Sequence, residues 1–480
     1  MFIFSELIRL NRISRQPVYE QIANAFVRLI REGVLKPGAR LPSIRKLAED
    51  IQVHPRTVVA AYQELVAQDW INSKPRSGMA VAEDLPQLKP RSFRPAIAPA
   101  TAATSSRQQP TPLFKYVIND GFPDYRLSPV KPLLKEYRAA FFDGRLERGS
   151  MYSDVAGNLD LRAELAAYYS ETRGMALKPE QILITRGAQM AIYLAAAALI
   201  RPGDKVVVGE PNYPMANKAF EQLGAELIKV PVDEEGMDVE KLERICKHRK
   251  PRLLYIIPHH HHPTTVTLSA GRRMRLLEII ARYGLHVIED DYDYDYHYAH
   301  RPILPLASGD TSGLVWYVGS LTKNLMASMR VGCLIAPQDV IRKASGHKRI
   351  LDIRGDLLLE GALAALFSAG TIQRHIRKVV KLYEQRRDLF CGLLEERMGE
   401  AVRFRIPDGG MAVWVVFNKK YDLSSISASA ATLGLGLSDG RSYNTSSVDY
   451  NALRMGFASL DEQQISAVTQ ILQKIVRKRF

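Results

Sequence analysis

Gly319-Ser320-Leu321-Thr322-Lys323, with Arg330 shortly beyond it, decides how the rest of this sequence is read. It follows the apolar run Gly313-Leu314-Val315-Trp316-Tyr317-Val318, which has the composition of a buried strand. A lysine amine at the end of such a strand can form an imine with an aldehyde. Two hydroxyls before it and a guanidinium after it can hold a phosphate on the same ligand. An aldehyde and a phosphate in one molecule describe pyridoxal 5'-phosphate. Taken alone, the residues fit a surface lysine after a strand better, so the rest of the chain has to decide.

At 480 residues the chain is too long for a single core, and two to four domains are expected. Glu6 and Arg9 interrupt the first ten residues, so no signal peptide is expected. The longest apolar run, Met190 to Ile200, is too short to span a bilayer and reads as a buried helix. Cys246, Cys333 and Cys391 are far apart and form no CxxC, which speaks against a disulfide framework or a zinc site and for a reducing cytoplasm. The net charge is +15. The first 80 residues hold 12 Lys and Arg against 7 Asp and Glu, an excess that favours a polyanionic partner.

The N-terminal segment gives that partner a shape. Ile22, Ala25, Phe26, Leu29 and Ile30 have helical spacing, and Gly33 stops the helix. Ser43 is placed to cap a second helix carrying Ile44, Leu47, Ala48 and Ile51. Pro55 opens a third, with Val58, Ala61, Tyr62 and Leu65 on one face. Ile71 to Val81, broken at Ser77-Gly78, reads as a small hairpin. A three-helix protein-binding module is the competing reading.

The strings Pro17-Val18-Tyr19-Glu20-Gln21-Ile22, Gly33-Val34-Leu35-Lys36-Pro37-Gly38-Ala39-Arg40-Leu41-Pro42-Ser43-Ile44-Arg45 and Thr57-Val58-Val59-Ala60-Ala61-Tyr62 resemble the GntR-type winged helix-turn-helix domain, over about residues 14–82. The resemblance implies operator DNA as partner, with the third helix in the major groove and the wing reaching the minor groove. It implies that Ser43 and Arg45 anchor phosphates, that Arg56 and Thr57 face the groove, and that Arg76 and Gly78 lie in the wing. His54-Pro55 stands where many relatives carry Ser-Arg. We place this domain at 1–82 and a linker at 83–113, whose Pro-, Ala-, Ser- and Thr-rich composition is that of a flexible tether spanning about 30 Å.

From about Phe114 the pattern alternates helices with short apolar strands, among them Ile182–Thr185, Lys205–Val208, Leu253–Ile257 and Leu285–Glu289. This predicts an α/β fold with a mostly parallel sheet covered on both faces, and ligands at the carboxyl ends of its strands. The unusual residues cluster at those ends. Thr185-Arg186-Gly187-Ala188-Gln189 is a glycine turn entering a helix, able to hold a phosphate on backbone N–H groups. Tyr213, in a proline-bounded loop, could stack on a pyridine ring. Asp290 could pair with a pyridinium nitrogen and Tyr292 donate to a ring hydroxyl. A calcium loop is a competing reading of Asp290 to Asp295, but the glycine and distal glutamate of an EF-hand are missing.

Residues from about 115 to 478 resemble the fold-type I aminotransferase family, and both halves together resemble the MocR/GabR family of regulators. The resemblance implies Lys323 as the Schiff-base lysine, Asp290 on the pyridine nitrogen, Tyr292 on the ring hydroxyl and Tyr213 on the ring face. It also implies a phosphate cup of Gly187, Ala188, Gln189, Ser320, Thr322 and Arg330. Arg454 would clamp the carboxylate of an amino-acid effector. The large domain would run from 114 to 480, with a small subdomain from 114–150 and about 345–480, and would form a homodimer, with a head-to-tail swap allowed by the linker. The chain departs from the pattern at Pro258-His259-His260-His261-His262-Pro263-Thr264-Thr265, and Arg186 stands where a small residue is common. Successive residues of an extended segment point to opposite sides, so no metal site is expected. One or two of the imidazoles, His262 among them, are expected at the cofactor and the others in solvent.

The function expected is a cytoplasmic transcription regulator that senses an amino acid or amine, which attacks the Lys323 aldimine and forms an external aldimine, with at most weak transamination. Two alternatives stay open: a working aminotransferase, and a regulator of vitamin B6 supply that senses pyridoxal phosphate itself.

Overall fold

The computed structural model describes residues 4–12, 14, 16–74, 78–85, 114–142, 154–298, 303–323, 325–445 and 448–477. It divides into two compact units, Met1–Pro110 and Thr111–Phe480. Most of the expected linker lies outside the described residues. Among the described residues no helix is long and apolar enough to cross a membrane.

In the first unit, helix Val18–Arg31 buries Ile22, Ala23, Phe26, Leu29 and Ile30. Phe26 meets Tyr62 edge-on, with ring centres 5.7 Å apart. Ser43 caps helix Ile44–Asp50 by accepting from the Lys46 N–H at 3.3 Å. Helix Pro55–Ala67 buries Val58, Ala61, Tyr62 and Leu65, the stripe its sequence spacing dictates. Its cap is His54, whose Nδ1 accepts from the Arg56 N–H at 3.2 Å. An imidazole lone pair thus does the work usually left to a hydroxyl or carboxylate oxygen, which gives the His54-Pro55 departure a physical role. Strands β1 (Ile71–Lys74) and β2 (Gly78–Val81) pair antiparallel as the wing, with Ile71 opposite Val81. Leu41 N–H donates to Met79 O at 2.9 Å, fastening the turn before the second helix to the wing.

The second unit opens with β3 (Tyr116–Val117). Its main sheet holds β4 (Ile182–Thr185), β5 (Lys205–Glu210), β6 (Glu226–Asp233), β7 (Gly236–Met237), β8 (Leu253–Ile256), β9 (His286–Asp291), β10 (Val315–Ser320) and β11 (Gly332–Ile335). The order is β4-β11-β10-β9-β8-β5-β6-β7. β11 runs antiparallel to both neighbours and β7 antiparallel to β6, while the other pairs are parallel. Alternate residues of one strand feed opposite cores. Val206, Val208 and Tyr255 pack with helix Ala188–Ala197, whereas Val207, Leu254 and Val287 pack with Leu276, Ile279 and Ile280 of helix Ala270–Tyr283. Two buried faces explain why these strands read as continuous apolar runs.

The strand before Lys323 starts later than its apolar run suggests. Asp310 accepts from the N–H groups of Ser312 and Val315 at 2.8 and 2.7 Å, so Gly313 lies in a bend and Leu314 just precedes the strand, which continues through Gly319 and Ser320. Register then pairs Val318 with Asp290 and Gly319 with Asp291, which puts the carboxylates and the lysine stretch at one edge.

A three-stranded antiparallel sheet, β12 (Val402–Phe404), β13 (Ala412–Phe417) and β15 (Ala452–Gly456), shares a core with helices Thr371–Met398, Leu423–Thr432 and Glu462–Arg477. β14 (Leu435–Gly436) pairs in parallel with β3, so residues just past the linker return to the C-terminal part of the chain.

Candidate functional site

A cavity of about 340 Å³ opens at the carboxyl edge of the main sheet. It is lined by residues that follow five different strands. Ala188 and Gln189 come after β4, Tyr213 and Met215 after β5, and Ile257 and His262 after β8; Asp290 and Tyr292 end β9, and Ser320, Thr322 and Lys323 end β10. Arg330, Asp120 and Phe122 complete the lining. Ten of the eleven residues expected at the cofactor therefore meet in one cavity, and the eleventh, Gly187, immediately precedes Ala188.

One part of the cavity suits a phosphate. Gly187, with φ of 79°, starts helix Ala188–Ala197 and turns its first N–H groups outward. A Cβ at Gly187 would lie 3.2 Å from the Arg330 guanidinium, so glycine lets the cation approach the helix end. Arg330 is anchored by donating to the Arg186 carbonyl at 3.2 Å. Thr322 donates to the Val331 carbonyl at 3.3 Å, and the Gln189 amide donates to the Met215 carbonyl at 3.0 Å. Arg186 itself is exposed and pairs with Asp352 at 3.0 Å, so it does not fill the cup.

Asp290 is 3% exposed. Its Oδ2 accepts from the Tyr255 hydroxyl at 2.7 Å, while Oδ1 is buried without a partner. Burial pushes its carboxyl up to about 7, although the Tyr255 hydrogen bond opposes the shift. An orphaned carboxylate oxygen in a cavity that also holds a lysine and a phosphate cradle fits a pyridinium N–H. These residues therefore fit pyridoxal phosphate. Tyr213 lines the same space, its ring edge-on to His262 at 5.1 Å. Lys323 Nζ donates to the Gly121 carbonyl and lies 4.2 Å from the centre of the Phe122 ring. Burial, aided by the Arg454 charge, brings its amine down to about 8. Tyr292 differs from expectation in its present bonding. Its hydroxyl donates to the His260 carbonyl at 2.9 Å and accepts from Arg454 Nη2 at 3.0 Å.

The expectation that some imidazoles of the histidine run sit in solvent is corrected: His259, His260, His261 and His262 are 1, 1, 5 and 7% exposed. The segment is turned rather than extended, with His260 and Thr265 at φ of 44° and 61° and His261 N–H bonded to Val266 O at 2.8 Å. Each ring meets its own partner. His259 Nε2 lies 2.6 Å from Ile303 O, His260 Nδ1 2.9 Å from Asp293, His261 Nδ1 2.9 Å from Thr264 Oγ1, and His262 Nε2 2.9 Å from Asp120. Burial lowers the basicity of His259, His261 and His262. Only His262 lines the cavity. Among the described residues no group of His, Cys, Asp and Glu is arranged to hold a metal ion.

Arg454 is not among the lining residues. It sits behind them on β15, its side chain wholly excluded from solvent, with Nε 3.6 Å from Asp120 Oδ1 and Nη1 without a partner. In the first unit, Ser43, Arg45, Arg56 and Gly78 are exposed and Thr57 is half-buried. The Ser43 hydroxyl is engaged in capping, and Arg76 lies outside the described residues.

Sequence reading missed Asp120, Phe122 and Tyr255. The first two flank Gly121, whose φ of 83° bends the chain so that its carbonyl meets Lys323 and its neighbours face the cavity. Asn119-Asp120-Gly121-Phe122-Pro123 carried a turn signal. Tyr255 was the one hydroxyl in the run Leu253-Leu254-Tyr255-Ile256.

Residues 124–472 match the model of the aminotransferase class I and II family, and residues 18–81 match that of the gntR family of bacterial regulatory proteins. The chain is 29% identical over 470 residues to the probable rhizopine catabolism regulatory protein MocR of Rhizobium meliloti, covering 95% of this chain and 93% of that protein. It is 27% identical over 460 residues to the pyridoxine biosynthesis transcriptional regulator PdxR of Corynebacterium glutamicum, covering 95% and 96%. Among solved structures, an archaeal alanine:glyoxylate aminotransferase superposes with a TM-score of 0.71 at 29% identity, over 76% of this chain and 91% of that one. The chain thus belongs to the aminotransferase class I and II family, and its fusion to a gntR-family domain is the organisation of a MocR-type regulator.

Proposed function

We infer that this protein is a DNA-binding transcription regulator whose large unit holds pyridoxal phosphate and reads a small primary amine, an amino acid or another. One observation carries the reading: a gntR-type domain shares its chain with a cavity that keeps the lysine, the buried acid and the phosphate cradle together. Gly187, Ala188, Gln189, Ser320, Thr322 and Arg330 would hold the phosphate, Asp290 the ring nitrogen and Tyr213 the ring face. When bound, the cofactor supplies an aldehyde that takes amines covalently and a ring that withdraws electrons. Lys323, at its lowered basicity, keeps part of its amine uncharged near neutral pH and so available for bonding. A ligand that binds two conformations unequally shifts their populations, which is all that regulation requires. Arg45, Arg56, Thr57 and the wing would contact operator DNA. A homodimer, head-to-tail through the linker, is part of this reading.

The test titrates operator binding by the full chain with cofactor alone, then with cofactor plus a panel of amines. Amine-dependent change in binding, lost in Lys323→Ala together with the visible absorbance of the bound cofactor, is the expected result. A full response to cofactor alone would favour sensing of pyridoxal phosphate itself. Steady-state transamination without specific DNA binding would sink the regulator reading.

A further inference from the structure

Asp120 is one of the charged residues that line the cavity with Lys323. Lys323 donates to the carbonyl of the following residue, Gly121. Asp120 lines the cavity with His262; Arg454 is not among the lining residues, although its charge is felt at Lys323. Each oxygen of the Asp120 carboxylate has a partner on the protein side, although the side chain stays 42% exposed. Oδ2 accepts from His262 Nε2 at 2.9 Å, Oδ1 accepts from the Tyr443 hydroxyl at 2.9 Å, and Arg454 Nε stands 3.6 Å from Oδ1. The Arg454 guanidinium also donates from Nε to the Asp120 carbonyl at 3.4 Å and from Nη2 to Tyr292 at 3.0 Å.

Two consequences follow for a ligand. A bidentate clamp on a carboxylate needs two free, parallel N–H groups. The Nε–Nη2 edge of the Arg454 fork is engaged, on the Asp120 carbonyl and on Tyr292, so a ligand meets only its Nη1–Nη2 end, where Nη1 is the nitrogen without a partner. The Arg454 charge, excluded from solvent, already has the Asp120 carboxylate beside it, so a ligand carboxylate brought there meets a like charge. On the cavity wall, His262 donates to Asp120 through Nε2, which leaves Nδ1 as a buried acceptor without a partner. A carboxylate and an imidazole lone pair favour ligand groups that donate.

We propose that Asp120 sets the ligand class, so that the cavity takes primary amines lacking an α-carboxylate in preference to α-amino acids, with Arg454 acting as the positioning partner of Asp120. The proposal rests on the reading that the cavity holds pyridoxal phosphate and a ligand amine. The anchoring of this stretch supports it: Asn119 O accepts from Gly456 N–H at 2.7 Å, and Asn119 Oδ1 accepts from the Gly121 and Phe122 N–H groups at 3.0 and 2.9 Å. The carboxylate is thus held in place by its own backbone as well as by two donors and the Arg454 ion pair.

The experiment titrates cofactor-loaded full-length protein with matched pairs: ethylamine and alanine, tyramine and tyrosine, cadaverine and lysine. Binding is followed by visible absorbance and by calorimetry. In the wild-type chain each amine should bind at least tenfold more tightly than its amino acid. Asp120→Asn, which keeps the size and an acceptor but removes the charge, should shrink that ratio tenfold or more. Asp120→Ser serves the same purpose if the amide variant does not load cofactor. A wild-type preference for the amino acids, or a ratio unmoved in both variants, overturns the proposal alone. A chain that takes up cofactor but answers no amine overturns the amine-sensing reading and the proposal with it; that outcome is visible before any variant is made.

Discussion

Asp290→Asn tests the cofactor assignment at its most buried point. The side chain is 3% exposed, with Oδ2 on the Tyr255 hydroxyl and Oδ1 without a partner. A pyridinium N–H facing Oδ1 would make a charge-assisted hydrogen bond worth about 1.5–3 kcal/mol. The carboxyl sits at about 7, so near neutrality part of it must first release a proton. At pH 7 that costs roughly a factor of two, small beside the bond itself. Asparagine keeps an acceptor for Tyr255 but cannot carry the charge, so the fold should survive while the cofactor is held less well. The loss should be roughly 10- to 150-fold in cofactor affinity, since about 1.4 kcal/mol is a factor of ten. Equilibrium dialysis of the loaded protein, read by visible absorbance, measures it, with thermal unfolding of the cofactor-free chain as control. Retention within twofold of wild type in a folded variant would mean that the acid does not face the ring nitrogen.

Cofactor capture by Lys323 should follow its lowered basicity: below about 8 the amine is protonated and has no lone pair to offer, so the capture rate should rise about tenfold per pH unit up to that point and then level. Stopped-flow absorbance checks this, and a rate still climbing to pH 10 would indicate an unperturbed lysine. Arg45→Ala and Arg56→Ala should each weaken operator binding and lower the salt slope by about 0.9 if each neutralises one phosphate; footprints at several salt concentrations decide, and unchanged slopes argue against this docking. His54→Ala removes the acceptor for the Arg56 N–H and should destabilise the first unit by about 1 kcal/mol in denaturant unfolding. His54→Asn should restore most of that loss, and equal losses in both would show that capping is not the cause.

The sequence made the chemistry of the cavity legible because its residues fall at strand ends, where apolar runs stop and Gly187, Tyr213, Asp290 and Lys323 begin. It was less informative where the partner is distant in the chain. β6 alternates burial and exposure, so it does not stand out as an apolar run, and β11 went unread although it joins β4 to β10. The histidine run misled because alternation assumes extended backbone, whereas positive φ at His260 and Thr265 folds the segment inward. Asp120 and Arg454 are 334 residues apart, and nothing in either local pattern announces that they meet.

That meeting ties ligand choice to chain order. Asp120 lies close behind Phe114, the first described residue past the expected linker, and between them β3 is fixed to β14 by Tyr116 N–H to Gly434 O at 3.1 Å and Ile118 N–H to Gly436 O at 3.0 Å. A ligand that competes for Arg454 or His262 therefore acts on a segment whose backbone is pinned on two sides. The first response available is rotation of the Asp120 side chain; shifting the strand itself means giving up those backbone bonds together. Moving a two-state equilibrium from one part in a hundred to ninety-nine takes about 5.5 kcal/mol of differential binding. Displacing a carboxylate from two donors and an ion pair consumes ligand binding energy, whereas a ligand that adds to the Asp120 network keeps it available for the shift. An amine that leaves Asp120 seated is for that reason the better effector as well as the better-bound ligand, and the sign of the Asp120→Asn response on DNA binding should follow its effect on amine selectivity.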